Sequence, residues 1–178
     1  PTVGALHLSH KVVCGKACGS RVLDLIVCEM CGEVLLGGYK STIGTGNNLF
    51  CLTPDEGDLE GIPDAAVNEK NFERYSVFWP VTTRGGLRLD VPVDTDYIWN
   101  GVPRQWLHAR LDKSNGILRR DNSPLRENDV AGWVYDIKGA RAGQEPAMPP
   151  KCPRCDADYR NRDLASPLRE HRTGFQRV

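Results

Sequence analysis

Six of the seven cysteines in this 178-residue sequence occur as three close pairs. The first pair is Cys14 and Cys18, the second pair is Cys28 and Cys31, and the third pair is Cys152 and Cys155. Two thiolates separated by two or three residues lie on one tight turn, and two such turns complete the tetrahedral shell of a zinc ion. Close pairs are more typical of metal sites than of disulfides in a chain without export signals. The spacing therefore predicts at least one structural zinc ion.

Two assignments of the zinc ligands fit the spacing. The first and second pairs form a compact local set, whereas the second and third pairs form a split set with a strand-rich region between its halves. Either set closes the coordination shell with four thiolates, which predicts a structural zinc rather than a catalytic one. The histidines show no catalytic zinc spacing; they are His7, His10, His108 and His171. Cys51 stands in an apolar run and is predicted to be a buried thiol.

Short β-branched and aromatic runs separated by Gly, Pro and Asn predict a mainly β fold with little helix, with α+β as the alternative. Strands are expected at 18–28 and 33–40 around the second pair, as in a zinc ribbon, and a short helix near 65–73. Further strands are expected at 75–79, 87–91, 105–111, 116–119 and 132–137. Adjacent glycines, Gly37 and Gly38, predict a bend or a close approach of two backbones. We therefore expect a zinc-ribbon core with a strand-rich insertion.

The chain is expected to form one structural unit in three parts, since its apolar fraction of 40% suffices for a modest core. Residues 1–40 hold the first half of the ribbon. Residues 41–150 contain an acidic loop, the strand-rich insertion and a linker at 139–150, and residues 151–178 contain the third pair and a C-terminal extension. Because the sequence begins at Pro1 and stops at Val178 without a capping signal, we expect it to be a piece of a longer protein.

Charge is balanced over the whole chain but unevenly distributed along it. The formal net charge is zero, so the chain lacks the basic excess that is typical of nucleic-acid binding. An acidic stretch contains Asp55, Glu56, Asp58, Glu60, Asp64, Glu69 and Glu73. The second half is basic, and we expect phosphate contacts from Arg104, Arg110, Arg119 and Arg120. The nearby aromatic residues are expected in the core, with stacking on unpaired bases as the alternative; they are Phe78, Trp79, Trp99, Trp106 and Trp133.

Several classes of function have no signal in the sequence. No apolar run is long enough for a membrane helix and no secretory signal is visible, so the cytoplasm is the default location and no membrane partner is expected. The segment Gly44–Gly46 lacks the Lys-Ser/Thr that completes a phosphate-binding loop. No Gly-x-Ser-x-Gly elbow for a serine nucleophile occurs. We therefore expect no catalytic residue and no nucleotide site in this segment.

Both ends of the chain resemble a known family. Its features are the run Cys18-Gly-Ser-Arg-Val followed by Cys28-Glu-Met-Cys31-Gly, then Cys152-Pro-Arg-Cys155, and finally Arg172-Thr-Gly-Phe-Gln. This combination resembles the zinc-binding accessory region of large bacterial DEAD/DEAH-box (superfamily 2) helicase-like proteins, including relatives in DNA repair and phage defence. The resemblance covers about residues 12–40 and 150–178 and extends only loosely to the middle.

The resemblance implies a non-catalytic segment of an ATP-dependent helicase or translocase. ATP would bind to motor domains outside this segment, and these domains would be its partners within the same chain. The segment itself would carry structural zinc and contact single-stranded DNA or RNA. The alternative is a zinc-ribbon module that binds a partner protein through its acidic loop and aromatic strands, without nucleic acid. A zinc hydrolase is disfavoured because four thiolates leave no open position on the metal.

Overall fold

The computed structural model describes residues 5–7, 11–15, 18–43, 49–54, 70–81, 83–84, 87–88, 90–121, 123–162 and 165–170. These residues form eleven strands and one short 3-10 helix, Ala142–Gln144. The strands are β1 (Asp24–Cys28), β2 (Val34–Thr42), β3 (Leu49–Thr53), β4 (Tyr75–Pro80), β5 (Thr83–Arg84), β6 (Leu87–Arg88), β7 (Asp96–Trp99), β8 (Val102–Asp112), β9 (Ile117–Arg119), β10 (Asp129–Ile137) and β11 (Leu168–Glu170). The prediction of a mainly β fold with little helix is therefore confirmed.

Six antiparallel strands close into a barrel. Going round it, β2 pairs with β3, β3 with β9, β9 with β8, β8 with β10, β10 with β4, and β4 returns to β2. Outside the barrel, β1 pairs with β2, β11 pairs with β1, and β7 pairs with β8. Strands β5 and β6 form a separate hairpin. Closure removes the free edges that an open sheet of these strands would present.

Strand β2 is long enough to pair with three neighbouring strands. Its first half pairs with β1 and its second half with β3, while β4 pairs along its middle. Gly37 and Gly38 pair with β4, at the point where the neighbour on the other side of β2 changes from β1 to β3. A Cβ atom on Gly37 would lie 2.0 Å from the Tyr75 hydroxyl oxygen, and one on Gly38 would lie 3.0 Å from the Cβ of Leu52. At Gly37 the close neighbour is the Tyr75 side chain, whereas a Cβ at Gly38 would also lie 3.1 Å from the Thr53 carbonyl oxygen, so the predicted approach of a second backbone is found at Gly38.

Alternate residues of the barrel strands pack into one apolar cluster that fills the barrel interior, because side chains along a strand point in turn to opposite faces. Its buried members are Phe50, Leu52, Phe78, Ala109, Leu111, Leu118 and Val134. Gly132 allows the Phe78 ring to approach β10, since a Cβ there would lie 2.4 Å from that ring. The interior is thus closely packed over most of its length.

A second apolar cluster covers the outside of the barrel. It includes Trp79, Trp106 and Trp133, which confirms core packing for these rings. The segment 139–150, expected to be a linker, packs on this cluster through Ala147 and Met148. These two side chains are buried, so the segment acts as a cover that brings the third cysteine pair to the barrel. Trp99 is half-buried and stacks over Arg104 at 4.6 Å from ring centroid to guanidinium carbon.

The division into three parts stays a prediction, although β2 spans the expected boundary at residue 40 and pairs with strands of the middle part. The expected strands flanking the second cysteine pair are present as β1 and β2. Most of the expected acidic loop (55–69), two histidines (His10 and His171) and the segment 172–178 lie outside the described residues. Of the expected helix at 65–73, residues 71–73 form a bridge and a turn.

Candidate metal centre

The structure brings the second and third cysteine pairs together. The four Sγ atoms of Cys28, Cys31, Cys152 and Cys155 all lie within 4.8 Å of one another. The Sγ atoms of Cys28 and Cys155 are 3.9 Å apart, and those of Cys31 and Cys152 are 3.8 Å apart. A zinc–sulfur bond of about 2.3 Å in a tetrahedron places neighbouring sulfurs ~3.8 Å apart, so these spacings suit a four-thiolate zinc ion. The geometry therefore favours the split set of ligands over the local set.

Both pairs lie on turns with the same backbone hydrogen bonds. The amide of Cys28 donates to the carbonyl oxygen of Glu33 at 2.9 Å, and the amide of Cys152 donates to that of Ala157 at 3.0 Å. The residue after each second cysteine has a positive φ, 73° at Gly32 and 57° at Asp156. This left-handed residue reverses the chain and turns an amide toward the preceding sulfur. The sequence thus forms two equivalent turns that aim their thiols at one point.

Burial and hydrogen bonding shift the pKa values of three of the four thiols. Burial raises the pKa of Cys31 to about 11 and raises the pKa of Cys152 further above its ordinary value. Burial also acts to raise the pKa of Cys155, but hydrogen bonds from the Ala157 amide and the neighbouring cysteines outweigh it and lower that pKa. Four crowded sulfurs without a cation favour protonated thiols, whereas a bound zinc ion deprotonates them. The site is thus suited to exchange thiol protons for one metal ion.

Charged side chains fix the third pair against the start of β2. Arg154, between the two cysteines of the third pair, forms ion pairs with Glu33 at 3.1 Å and with Asp90 at 3.2 Å. Glu33 also accepts a hydrogen bond from the Trp79 indole at 3.0 Å. No motif indicated these partners in advance. Residues that hold a ligand turn in place tune metal affinity. Through its ion pair with Arg154, Glu33 therefore helps to orient the third cysteine pair.

Chain segments distant in sequence meet beside the metal centre. Strand β11 pairs with β1, which ends at Cys28 of the second cysteine pair. The Arg169 guanidinium donates two hydrogen bonds of 3.1 Å to the Glu29 carboxylate. The amide of Glu29 also donates to the carbonyl oxygen of Pro167 at 3.0 Å. These contacts bring the C-terminal strand to the turn of the second pair. The region of the metal centre therefore joins the turn of the second cysteine pair to the last described strand, β11.

The other cysteines lie elsewhere. Cys14 and Cys18 are outside the four-thiol cluster, on a turn between the bridged residues Val13 and Arg21. Cys51 is half-buried, and its thiol donates to the carbonyl oxygen of Asn115 at 3.0 Å. The role of the first pair as metal ligands stays a prediction.

Three of the four arginines expected to contact phosphate are buried, namely Arg104, Arg110 and Arg119. Arg104 is 2% exposed, donates to the Tyr135 hydroxyl at 2.9 Å and pairs with Glu145 at 2.5 Å. Arg110 is also buried and donates to the carbonyl oxygen of Ser123 at 2.8 Å and 3.1 Å. These guanidinium groups hold the barrel to its covering loops.

Arg119 and Arg120 are paired as well. Arg119 forms an ion pair with Asp129 at 2.5 Å, and Arg120 forms one with Asp136 at 2.9 Å. Their partners are carboxylates of β10, next to or inside the barrel. A nucleic-acid role for the four arginines stays a prediction, and phosphate would have to compete with these internal partners.

One end of the barrel interior is polar, and no motif indicated this. Asp136 accepts a hydrogen bond from Gln105 at 2.7 Å and pairs with Arg120. The ammonium of Lys40 donates to the Phe72 carbonyl oxygen and lies 3.6 Å from the centroid of the Phe72 ring. Burial, together with the nearby charge of Arg120, lowers the pKa of Lys40 to about 7. Lys40 therefore changes its charge near neutral pH in the folded protein.

Comparison with known proteins places the chain in a family. A family model described as the YjiV N-terminal domain matches residues 6–172. The chain belongs to this family. All three cysteine pairs and all six barrel strands lie within the part matched by the YjiV N-terminal domain. No curated protein and no solved structure matches the chain. In the described part of this YjiV N-terminal domain, no helix has the length and apolarity needed to cross a bilayer.

Proposed function

We propose that this domain is a structural, zinc-binding and non-catalytic accessory segment of an ATP-dependent nucleic-acid helicase or translocase. The observation that carries the proposal is the cluster of four thiols at tetrahedral spacing. The link to a helicase comes from the resemblance at both ends of the sequence. In this proposal ATP binds to motor domains of the same polypeptide, and this segment guides a displaced single strand or couples the motor to another domain.

The donor set supports a scaffold rather than a catalyst. Bound zinc would supply a charged, tetrahedral crosslink between chain segments, and four thiolates leave no position for water or substrate. Cys31 and Cys152 are 121 residues apart in sequence, so the crosslink would close the loop that contains the barrel. A rigid platform of this kind holds neighbouring surfaces at a fixed distance from a motor.

Binding to a single strand can be tested with exposed cations, because the four arginines named above are paired within the fold and their removal would damage it. Lys113 and Arg126 lie in loops at one end of β10, and Lys138 and Arg141 lie past its other end. Replacing both members of one pair with Gln should lower the slope of log affinity against log salt by about one for each phosphate that the variant no longer neutralises. The second pair is the matched control for the first.

The measurement is fluorescence anisotropy of labelled single-stranded DNA and RNA with the zinc-loaded chain over a range of salt concentrations. If replacing one pair weakens binding and replacing the other pair does not, the result supports a path for the strand past one end of β10. Absence of binding to either nucleic acid at low salt removes nucleic-acid contact from the proposal.

A protein-binding role is the second candidate, and it is favoured by apolar side chains around the metal centre. Met30 lies between the cysteines of the second pair, and the amide of Val93 donates to the carbonyl oxygen of Pro153 within the third pair. Met30, Val91 and Val93 are between 57% and 60% exposed. Exposed apolar side chains next to an ordered turn suit contact with another domain. Met30→Asp with Val93→Asp should abolish co-elution with separately expressed motor domains, whereas Ile98→Asp, at another exposed apolar position, should not.

A further inference from the structure

The two turns of the metal centre each expose one cysteine to solvent and bury the other. Cys31 and Cys155, the second cysteines of the two turns, are exposed, whereas Cys28 and Cys152 are both 1% exposed. All four are free thiols. A small oxidant in the solvent therefore reaches the sulfurs of Cys31 and Cys155 before it reaches the buried ones.

Each exposed cysteine lies against the buried cysteine of the opposite turn. The Sγ atoms of Cys31 and Cys152 are 3.8 Å apart, and those of Cys155 and Cys28 are 3.9 Å apart. Both contacts are about 1.8 Å longer than a disulfide bond, a gap that rotation of the exposed side chain can close. An oxidised sulfur on one turn therefore has a thiol of the other turn as its reaction partner.

We propose that hydrogen peroxide oxidises this centre in a fixed order and exchanges its zinc ion for two disulfides between the turns, Cys31–Cys152 and Cys28–Cys155. This exchange rests on the zinc site of the proposed function and not on the link to a helicase. In the first step an exposed thiolate attacks the peroxide, the O–O bond breaks, and the sulfur becomes a sulfenic acid as hydroxide leaves. The buried thiolate of the opposite turn then attacks that sulfur, forms the S–S bond and displaces hydroxide.

Both exposed sulfurs react in this way, and the zinc ion leaves as its ligands are consumed. Four thiolates, two peroxide molecules and four protons from the solvent give two disulfides and four water molecules. The thiolates are oxidised and the peroxide oxygens are reduced, while zinc stays divalent. A thiol reductant and a new zinc ion restore the centre, because disulfide formation is reversible.

The position of these disulfides decides what oxidation does to the fold. Cys31 and Cys152 are 121 residues apart in sequence, and Cys28 and Cys155 are 127 residues apart. Disulfides between the turns therefore join the same two segments that the zinc ion joins. Disulfides within each turn would leave these segments unlinked. Oxidation between the turns thus releases zinc while the third cysteine pair stays attached to the second.

Zinc release and peptide mapping test the proposal on the whole chain. Zinc content is measured before peroxide is added, and a chromophoric chelator then reports the zinc that is released. Trypsin cuts after Arg154 and a glutamate-specific protease cuts after Glu29, so each of the four cysteines lies on a peptide of its own. Peroxide should release the zinc ion of the centre and link the four peptides in the two proposed pairs. Dithiothreitol with zinc should reverse both changes.

Three results after peroxide treatment overturn the proposal. The first is a disulfide within a turn, and the second is loss of zinc with sulfinic acids in place of disulfides. The third is retention of zinc at a peroxide concentration that oxidises Cys18, which is exposed and outside the centre. A chain that holds no zinc before peroxide contradicts the zinc site itself, so failure of the proposed function is seen at an earlier step.

Trapping of the sulfenic acid tests the order of oxidation. Dimedone, which labels sulfenic acids, should mark Cys31 and Cys155 in the wild type and leave the buried sulfurs unlabelled. Cys28→Ser removes the partner of Cys155, so the label should rise at Cys155 and stay unchanged at Cys31. Cys152→Ser is the matched variant and should raise the label at Cys31 alone. Equal rises at both exposed cysteines in either variant would show that the sulfurs do not react in these pairs.

Amide hydrogen exchange tests the link between the two segments. In the presence of a chelator, the peroxide-treated chain should keep β1 and β11 protected, whereas the reduced chain should lose that protection. Equal exchange in the two samples would show that the disulfides do not hold the turns together.

Discussion

The metal centre and the barrel interior lie in one molecule but are held together by different forces. At the metal centre, four sulfurs from distant segments converge, and two of the four thiol residues, Cys31 and Cys155, are exposed. In the barrel interior, apolar side chains from several strands pack with almost no exposed surface. Burial of this kind needs no ligand, whereas four crowded thiolates need a cation to offset their negative charge. We therefore expect the barrel to tolerate loss of the metal better than the ends of the chain do.

Removing zinc should have the largest effect, and should affect one region only. Structural zinc contributes about 10–16 kcal/mol in small zinc-finger peptides, and that term is lost on chelation or in Cys152→Ser. Amide hydrogen exchange should speed up in β1 and β11, which flank the centre, while β8 and β10 stay protected. Cys51→Ser, which removes a thiol outside the centre, should exchange like the wild type. Equal loss of protection in all four strands would show that the two regions unfold as one unit.

A cavity in the barrel interior should destabilise the barrel and leave the metal centre intact, which is the reverse of the effect expected from zinc removal. Phe78 is fully buried in the interior cluster, so Phe78→Ala should lower the free energy of unfolding by about 3–5 kcal/mol. Zinc content per chain should not change. Denaturant unfolding of the zinc-saturated protein measures the first quantity and elemental analysis the second.

The exposed Ile98 is the matched control for Phe78. Because Ile98 is 68% exposed, Ile98→Ala should change the free energy of unfolding by less than about 0.5 kcal/mol. If Phe78→Ala also lost zinc, interior packing would be positioning the sulfurs, and the two regions would not be independent of each other.

The contacts of Glu33 connect the metal centre to the barrel wall, because Glu33 pairs with Arg154 of the third cysteine pair and accepts a hydrogen bond from Trp79 on the outer side of β4. Glu33→Gln keeps the shape of the side chain but removes its charge. Zinc affinity should fall by about tenfold, since partners that orient ligand turns contribute this much elsewhere. Competition with a chromophoric chelator gives the value.

Glu145→Gln makes the same chemical change at the ion pair with Arg104. It should leave zinc affinity unaltered, because Arg104 does not hold a ligand turn. A similar loss of affinity in both variants would mean that the charge of Glu33 acts through general stability rather than through the metal centre.

The sequence predicted the parts better than their assembly. Short aromatic and β-branched runs bounded by Gly, Pro and Asn marked β4, β8 and β10, because the residues of a strand themselves carry the apolar side chains that it buries. The spacing of the cysteines could not decide between the local and the split set of zinc ligands, because that choice depends on tertiary contacts between distant segments. The pairing of β1 with β11 and the grip of Arg169 on Glu29 bring the third cysteine pair to the second.

Buried charges were the least predictable feature. Arg104 stands two residues before Trp106 on β8, and both side chains lie on the outer face of the barrel under the covering segment. Local composition suggested a basic surface there. The partner of Arg104, Glu145, lies in the segment that was expected to be a linker, so the ion pair exists only because that segment folds back onto the barrel. Pairing of this kind is a property of the tertiary fold and leaves no local pattern.

The smallest expected effect concerns Lys40 at the polar end of the barrel. Its pKa in the folded state is about 7, mainly because of burial, and its ordinary value is 10.5. Between these two values the unfolded chain binds a proton that the folded protein has released, so stability rises with pH. From pH 8 to pH 9 the wild type should gain about 1 kcal/mol more than Lys40→Met, which has no ammonium to discharge.

Taking the difference between the two proteins cancels the contributions of the thiols and tyrosines, which titrate in both. The measurement is the free energy of unfolding in denaturant at each pH, with zinc in excess. Parallel pH profiles for Lys40→Met and the wild type would mean that Lys40 keeps its proton in the barrel. In that case the ammonium is stabilised by Asp136 and the Phe72 carbonyl, and the polar end is a balanced ionic network. A steeper rise in the wild type would instead identify the barrel, and not the metal centre alone, as a source of pH-dependent stability.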